Sequence, residues 1–191
     1  MARTAKHKDT LVQAAVELFR KQGYAATGTA EILKRSGAPR GSLYHYFPGG
    51  KEDIGAAAVM AASKGLSRTI REIAAEVKTT ADFIEIYAAK LAGWMETSGY
   101  RDGNPLTTII LETVPQSTQI TLEAEKSYEI WCGLFADMLQ ADGWPAQQCR
   151  PTAQMILAAL DGALVNTRIK RDSAVIKSVA SELAHYLRTA V

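Results

Sequence analysis

Apolar residues recur every three to four positions along nearly the whole chain, which is the spacing of one face of an α-helix. The first such segment places Val12, Ala15, Val16 and Phe19 on one side, and Gly23 is a typical C-terminal stop. The last segment has the same spacing, with Val175, Ile176, Val179, Leu183 and Leu187. The pattern predicts about nine helices, three short ones followed by six longer ones.

One segment is ambiguous by its local composition. Residues 106–114, "LTTIILETV", are rich in β-branched side chains, which favour strands. A single strand would have nothing to pair with among helices, so we predict a helix that Pro115 ends. We also predict one long helix from Lys51 to Val77, and a kink or a helix start at Pro151. The expected fold is all-α, because each helix must bury its apolar stripe against its neighbours.

A tight, glycine-containing turn separates two of the short helices. The first is "TAEILKR" (29–35), the turn is "SGAP" (36–39) and the second is "RGSLYHYF" (40–47). Either Thr27 or Thr29 is a plausible N-cap of the first helix. This arrangement predicts a helix-turn-helix, whose second helix lies in the DNA major groove.

Side chains on the second helix are suited to DNA. Arg40 can donate two hydrogen bonds to guanine, Gly41 lets the backbone approach closely, and Ser42 can pair with several base edges. Leu43 and Phe47, four positions apart, are expected to anchor the opposite side. The hydroxyls of Tyr44 and Tyr46 suit phosphate, and His45 suits a base or a phosphate. Lys51, at the start of the next helix, is a further phosphate candidate, and Thr27 and Thr29, near the start of the first helix, complete the candidate set. The alternative for the exposed aromatic cluster is a protein-binding patch.

Charge is distributed unevenly. Residues 1–52 carry nine Lys or Arg against four Asp or Glu, whereas residues 53–191 carry thirteen against sixteen. A basic first quarter indicates an anionic partner for the N-terminal region, although a chance asymmetry of surface charge would give the same count. We therefore place a DNA-binding domain at 1–52 and a second domain at 53–191.

Other classes of protein lack support in the sequence. No apolar run reaches the length of about 20 residues that a transmembrane helix needs, and two cysteines without metal spacing suggest a reduced, cytoplasmic protein. His7, His45 and His185 form no metal-ligand motif, and no phosphate-binding loop or nucleophile motif occurs. We expect no enzyme, no cofactor, no metal and no membrane partner. A helical protein-binding adaptor remains the alternative function.

The N-terminal residues resemble a known family. "LFRKQGY" followed by "TGTAEILKRSGAPRGSLYHYFPGGKEDI" is similar to the DNA-binding domain of TetR-family repressors. "APRGSLYHYFPGGKE" resembles the LmrA/YxaF-like branch, which often has a cysteine where this chain has Asn104. The resemblance implies an Ω-shaped, all-α homodimer that binds a palindromic operator and is released by a small molecule. It also implies base contacts from Arg40, Gly41 and Ser42. It further implies phosphate contacts from Tyr44, Tyr46 and Lys51, with Thr27 at the start of the second helix of the chain.

The second domain has candidate residues for both dimerisation and ligand binding. Two long C-terminal helices from each subunit would form a four-helix interface, unless their stripes close the chain's own core. The candidates for the dimer interface are Ala159, Gly162, Ala163, Asn166, Val175, Val179 and Leu183. A pocket for a lipophilic or aromatic ligand needs apolar walls with a few polar groups, although aromatic residues at helical spacing are often core. The candidates are Tyr87, Trp94, Met95, Asn104, Thr108, Glu112, Tyr128, Trp131 and Phe135.

Overall fold

A computed structural model describes residues 2–101 and 104–190, and for 2–6 and Pro105 it describes the backbone alone. All regular structure in these ranges is helical, which confirms the all-α prediction. The nine helices are α1 (Ala2–Gln22), α2 (Thr29–Ser36), α3 (Ser42–Tyr46), α4 (Lys51–Ala74), α5 (Thr80–Thr97), α6 (Pro105–Thr113), α7 (Thr118–Ala141), α8 (Ala146–Lys170) and α9 (Ala174–Thr189). No helix in the described ranges combines the length and the apolar character that crossing a bilayer requires.

Several predicted boundaries differ from the observed ones. The first helix is not short, because it extends N-terminally beyond the apolar pattern to Ala2. α4 ends at Ala74, three residues before the predicted Val77. The ambiguous segment is the helix α6, as predicted. α8 begins after Pro145, so Pro151 does not mark the start of a helix. Pro151 lies inside α8, on its exposed side.

The described chain forms two compact units. The first comprises Met1–Gly65 with Asn104–Ser127, and the second comprises Leu66–Gly103 with Tyr128–Val191. These units describe packing; the functional division at residue 52 stays a prediction.

Each unit has its own apolar core. In the first unit, Phe19 of α1, Ile32 of α2 and Leu43 of α3 are fully buried, together with Leu106 of α6. In the second unit, the Phe83 ring lies 5.4 Å from the Tyr87 ring and meets the Phe135 ring edge-on, also at 5.4 Å. Helices α5, α8 and α9 pack together there, so the apolar stripes of the sequence are satisfied between helices.

Candidate nucleic-acid interface

The α2–α3 pair has the geometry of a helix-turn-helix. α2 ends at Gly37, whose φ of 66° is left-handed and whose N–H donates to the Leu33 carbonyl. The chain then turns at Pro39, whose carbonyl accepts from the Ser42 N–H at 2.8 Å. Left-handed φ is strained for residues with a Cβ, so a glycine at this position makes the sharp reversal between the helices possible.

α3 has one buried side and one exposed side. Leu43 and Phe47 are buried, as the sequence predicted, and they fix the helix to its unit. Tyr44 is 58% exposed, and Arg40 and His45 are exposed as well. The helix therefore presents its polar side chains outward, which is the arrangement that a groove-binding helix requires.

The other predicted residues of this helix lie at its margins. Ser42 and Tyr46 are half-buried, and the Tyr46 ring meets the His45 ring edge-on at 4.8 Å. Gly41 is exposed, and a Cβ added there would meet nothing within 4 Å. The structure therefore brings Arg40, Gly41 and Ser42 together at the start of α3.

Ion pairs hold α2 to α1. The Arg35 guanidinium donates from Nε and Nη2 to the Glu17 carboxylate, each at 2.9 Å. Lys21 also donates to Glu17, and the two cations lower the pKa of that carboxyl, against the effect of its desolvation. Arg35 therefore stabilises the packing of α2 against α1. The count of basic residues in 1–52 thus overstates the positive charge that is available to DNA.

The structure places Thr27 differently from the sequence prediction, which made it a candidate N-cap and DNA contact. Its side chain has no exposed surface, and its hydroxyl donates to the Gly23 carbonyl at 2.7 Å. The N-cap of α2 is Gly28, not Thr27 or Thr29, and it makes no side-chain cap. Thr29 is the first residue of α2 and is half-buried. With its hydroxyl buried and bonded within the turn, Thr27 offers no surface to DNA.

Lys51 is bound to its own chain. Its ammonium donates to the Ala25 carbonyl at 3.2 Å and lies 4.4 Å from the centroid of the Tyr24 ring. Desolvation lowers the pKa of Lys51, and the charge of Glu112 raises it in opposition. A phosphate contact by Lys51 would require this ammonium to exchange partners.

Glu112, one of the candidate ligand residues, lies at the surface. It is exposed, and its Oε2 accepts from the Ala25 N–H at 2.5 Å. It is therefore neither a buried, unpaired acid nor the wall of an enclosed pocket. Of its neighbours on α6, Asn104 is the N-cap and accepts from the Leu106 N–H, and the Thr108 hydroxyl donates to the Asn104 carbonyl.

The other six ligand candidates belong to the second unit. Tyr87, Met95, Trp131 and Phe135 are buried, whereas Trp94 is 45% exposed, with the Lys90 ammonium 5.8 Å from its ring. Trp94 is thus not enclosed within its unit.

Polar groups accompany these aromatic residues. The Tyr128 hydroxyl donates to Asp161 Oδ2 at 2.8 Å, and the Tyr128 ring lies 5.3 Å from that of Trp131. The buried indole N–H of Trp131 has no hydrogen-bond partner among the described residues. Burial raises the pKa of Tyr87, and the charge of Asp161 raises it further, so this phenol is a neutral donor. Asp161 is absent from the predicted set, since only the fold brings α8 to α5 and α7.

Two predicted dimer residues pack inside their own unit. Ala163 is 3% exposed and Leu183 is 8% exposed, so both close the core of the chain. Gly162 and Asn166 are exposed, and the Asn166 amide donates to the Gly162 carbonyl. Ala159, Val175 and Val179 are half-buried.

Three exposed, large apolar side chains on α8 were missed. Met155, Val165 and Ile169 lie along α8 at spacings of ten and four, and Ile169 is 73% exposed. Together with Gly162 they form a continuous line on one helix face, which we call the α8 stripe. A seven-residue spacing from Met155 through Gly162 to Ile169 is the signal in the sequence that would have identified it.

Comparisons with known proteins agree with this architecture. The sequence pattern described as "Bacterial regulatory proteins, tetR family" matches residues 11–58, and "Transcriptional regulator LmrA/YxaF-like, C-terminal domain" matches residues 80–182. Two similar proteins of Bacillus subtilis are the HTH-type transcriptional regulators YxaF, 27% identical, and LmrA, 25% identical. The alignments cover 95% of this chain in both cases, and 95% of YxaF and 96% of LmrA.

Solved structures show the same fold. A TetR transcriptional regulator from Chloroflexus aurantiacus has a TM-score of 0.82 at 20% identity, covering 99% of this chain and 98% of that one. The regulatory protein TetR from Rhodobacter sphaeroides has a TM-score of 0.79 at 21% identity, covering 93% and 97%.

The turn generates a prediction about Gly37. Gly37→Ala should lower the free energy of unfolding by about 1–2 kcal/mol, because the φ of 66° is retained only with strain. Gly65→Ala is the matched control, because Gly65 lies within α4 and a Cβ there meets nothing. It should raise stability by about 0.5–1 kcal/mol. Urea unfolding measures both, and the same sign for the two variants would contradict the prediction.

Proposed function

The chain belongs to the TetR family of bacterial regulatory proteins, and we propose that it represses transcription as a homodimer bound to a palindromic operator. Its family consists of transcriptional regulators, not enzymes, and residues 11–58 contain the helix-turn-helix. We propose further that a small lipophilic or aromatic ligand releases it from DNA.

One observation carries the proposal for DNA: the polar side of α3 is exposed while its apolar side is buried. Arg40 and Ser42 lie at the N-terminal end, where a recognition helix meets base edges, and we propose base contacts for both. The exposed Gly41 leaves room for close approach of the backbone. Tyr44 and Tyr46 are proposed phosphate contacts, with His45 beside them.

The α8 stripe supports a dimer. Met155, Val165 and Ile169 expose apolar surface that a second copy would remove from water. A two-fold axis at this face would use the same residues of both subunits, with Gly162 allowing close approach of the two helices. Two copies of α3 would then contact half-sites about 34–36 Å apart, which accounts for a palindrome.

The aromatic residues of the second unit support a ligand site. Tyr87, Tyr128 and Trp131 combine ring surface with phenol and indole donors, and Trp131 has a buried N–H that an acceptor could satisfy. A planar molecule with ring carbonyl or hydroxyl oxygens fits that chemistry. Asn104 and Thr108 remain candidates on α6, whereas Glu112 and Trp94 receive less support from their exposure.

Release requires two conformations with different affinities. The ligand must bind more tightly to the conformation whose two α3 helices are mis-spaced for the operator. α4 contributes residues to both units and starts at Lys51, so we propose it as the lever.

Operator binding is tested with duplexes selected from a random pool by the unchanged protein. The selected sequences should have two-fold symmetry, and affinity should fall steeply with salt. Arg40→Ala should weaken binding roughly tenfold because a bidentate base contact is lost, and Tyr44→Phe a few-fold because one hydroxyl is removed. Arg71→Ala on α4 is the control for lost charge.

Equal losses for Arg40→Ala and Arg71→Ala would contradict base recognition by Arg40. Binding to a protein partner but to no duplex would favour the adaptor function instead.

The dimer is tested at Ile169. Ile169→Asp should weaken self-association by about a hundredfold or more, because a two-fold interface buries the new charge twice. Light scattering coupled to gel filtration at micromolar concentration should show a monomer. Ile86→Asp, which alters an apolar residue of α5 that is 47% exposed, should leave the dimer intact. A dimer in both variants would place the interface elsewhere.

The ligand site is tested by adding planar aromatic compounds to a complex with fluorescent operator. Compounds that release the DNA should be needed at about fivefold higher concentration with Trp131→Phe, since the indole N–H is lost. Trp144→Phe, which changes a buried tryptophan outside the proposed site, should respond as the unchanged protein does. Equal loss of response in both variants would argue against Trp131.

A further inference from the structure

The backbone of Ala25, in the turn between α1 and α2, is held from two sides. Its N–H donates to Glu112 Oε2 of α6 at 2.5 Å, and its carbonyl accepts from the Lys51 ammonium of α4 at 3.2 Å. An acidic and a basic side chain, from two helices distant in sequence, thus fix the same residue. Hydrogen bonds to charged groups are stronger than neutral ones, so this arrangement restrains the turn.

Gly23 makes the contact with Glu112 possible. Its φ of +89° is left-handed, and a Cβ built on it would lie 2.4 Å from Glu112 Oε1. The carboxylate therefore occupies space that any other residue at position 23 would fill. The same carboxylate thus lies against Gly23 and accepts from the Ala25 N–H, so it is fitted to the turn at both residues.

The turn leads directly into the helix-turn-helix. Only Ala26, Thr27 and the N-cap Gly28 separate Ala25 from α2, and the buried Thr27 hydroxyl bonds back to Gly23. A displacement of Ala25 is therefore transmitted to the start of α2.

We propose that Glu112 is a positioning residue for DNA binding, acting through the backbone of Ala25 to fix the turn from which α2 begins. The inference rests on the proposed function as a DNA-binding repressor. Glu112 itself contacts no base; it sets the position of the helices that do.

The sign of the effect separates positioning from simple electrostatics. If Glu112 acted only by repelling nearby phosphate, its removal would strengthen DNA binding. If it positions α2, its removal weakens binding to the selected duplex more than binding to a random duplex, because only specific recognition requires the correct placement of α3.

The experiment compares Glu112→Ala, Glu112→Gln and the control Glu125→Ala, an exposed glutamate on α7. Affinity for the selected duplex and for a random duplex is measured at one salt concentration. Glu112→Ala should lose about five- to tenfold for the selected duplex and less than about twofold for the random one. Glu112→Gln keeps an acceptor oxygen and should restore specific binding to within about threefold of the unchanged protein. Glu125→Ala should be unchanged.

Amide hydrogen exchange provides a second measurement that needs no DNA. The Ala25 N–H should exchange about tenfold faster in Glu112→Ala and close to its original rate in Glu112→Gln. Tighter specific binding by Glu112→Ala, or an unchanged ratio of specific to random affinity, would overturn the inference about Glu112 and leave the proposed function intact. Failure of the unchanged protein to prefer any duplex would overturn the proposed function and the inference with it.

Discussion

Burial of Leu43 and Phe47 is the interaction on which the DNA-binding end of the molecule depends. α3 has five residues, and a helix of that length is unstable in isolation. Its conformation therefore comes from two apolar side chains packed into the first unit, with a left-handed glycine setting its direction after α2. Because those anchors take one side of the helix, Arg40, Tyr44 and His45 are left on the other. The exposure of these polar residues is thus a consequence of the packing of Leu43 and Phe47.

The sequence was a good guide where one local pattern decides the structure. The two sides of α3 follow from residues four positions apart, and the helical state of α6 follows from the lack of any strand that could pair with it. It was a poor guide where residues far apart in sequence meet. Nothing in the segment around Glu112 indicates that it reaches the turn at Ala25, 87 positions away. Thr27 was predicted as an N-cap and a DNA contact. Its burial depends on the turn in which its hydroxyl bonds to the Gly23 carbonyl, and the local sequence does not indicate that turn.

Helices with two apolar faces caused the other errors. On α8 and α9, periodicity finds the apolar residues but does not assign a face to the chain's own core. Ala163 and Leu183 were assigned to a dimer and are buried in the core, whereas Met155, Val165 and Ile169 are exposed. Only the packing of α8 against α5 and α9 distinguishes the two faces. The same ambiguity affects the aromatic residues, where Phe135 is buried and Trp94 is half exposed, although both have helical spacing.

Gly23 has a consequence for how such a chain can diverge. A larger residue at that position is opposed twice, first by the left-handed backbone and then by the carboxylate that occupies the space where its side chain would begin. Shortening the side chain at position 112 removes only the second obstacle and leaves the strain of the left-handed backbone in place. The two positions are therefore coupled in structure: a side chain at position 23 would have to displace the Glu112 carboxylate, which also accepts from the Ala25 N–H, across almost half the length of the polypeptide.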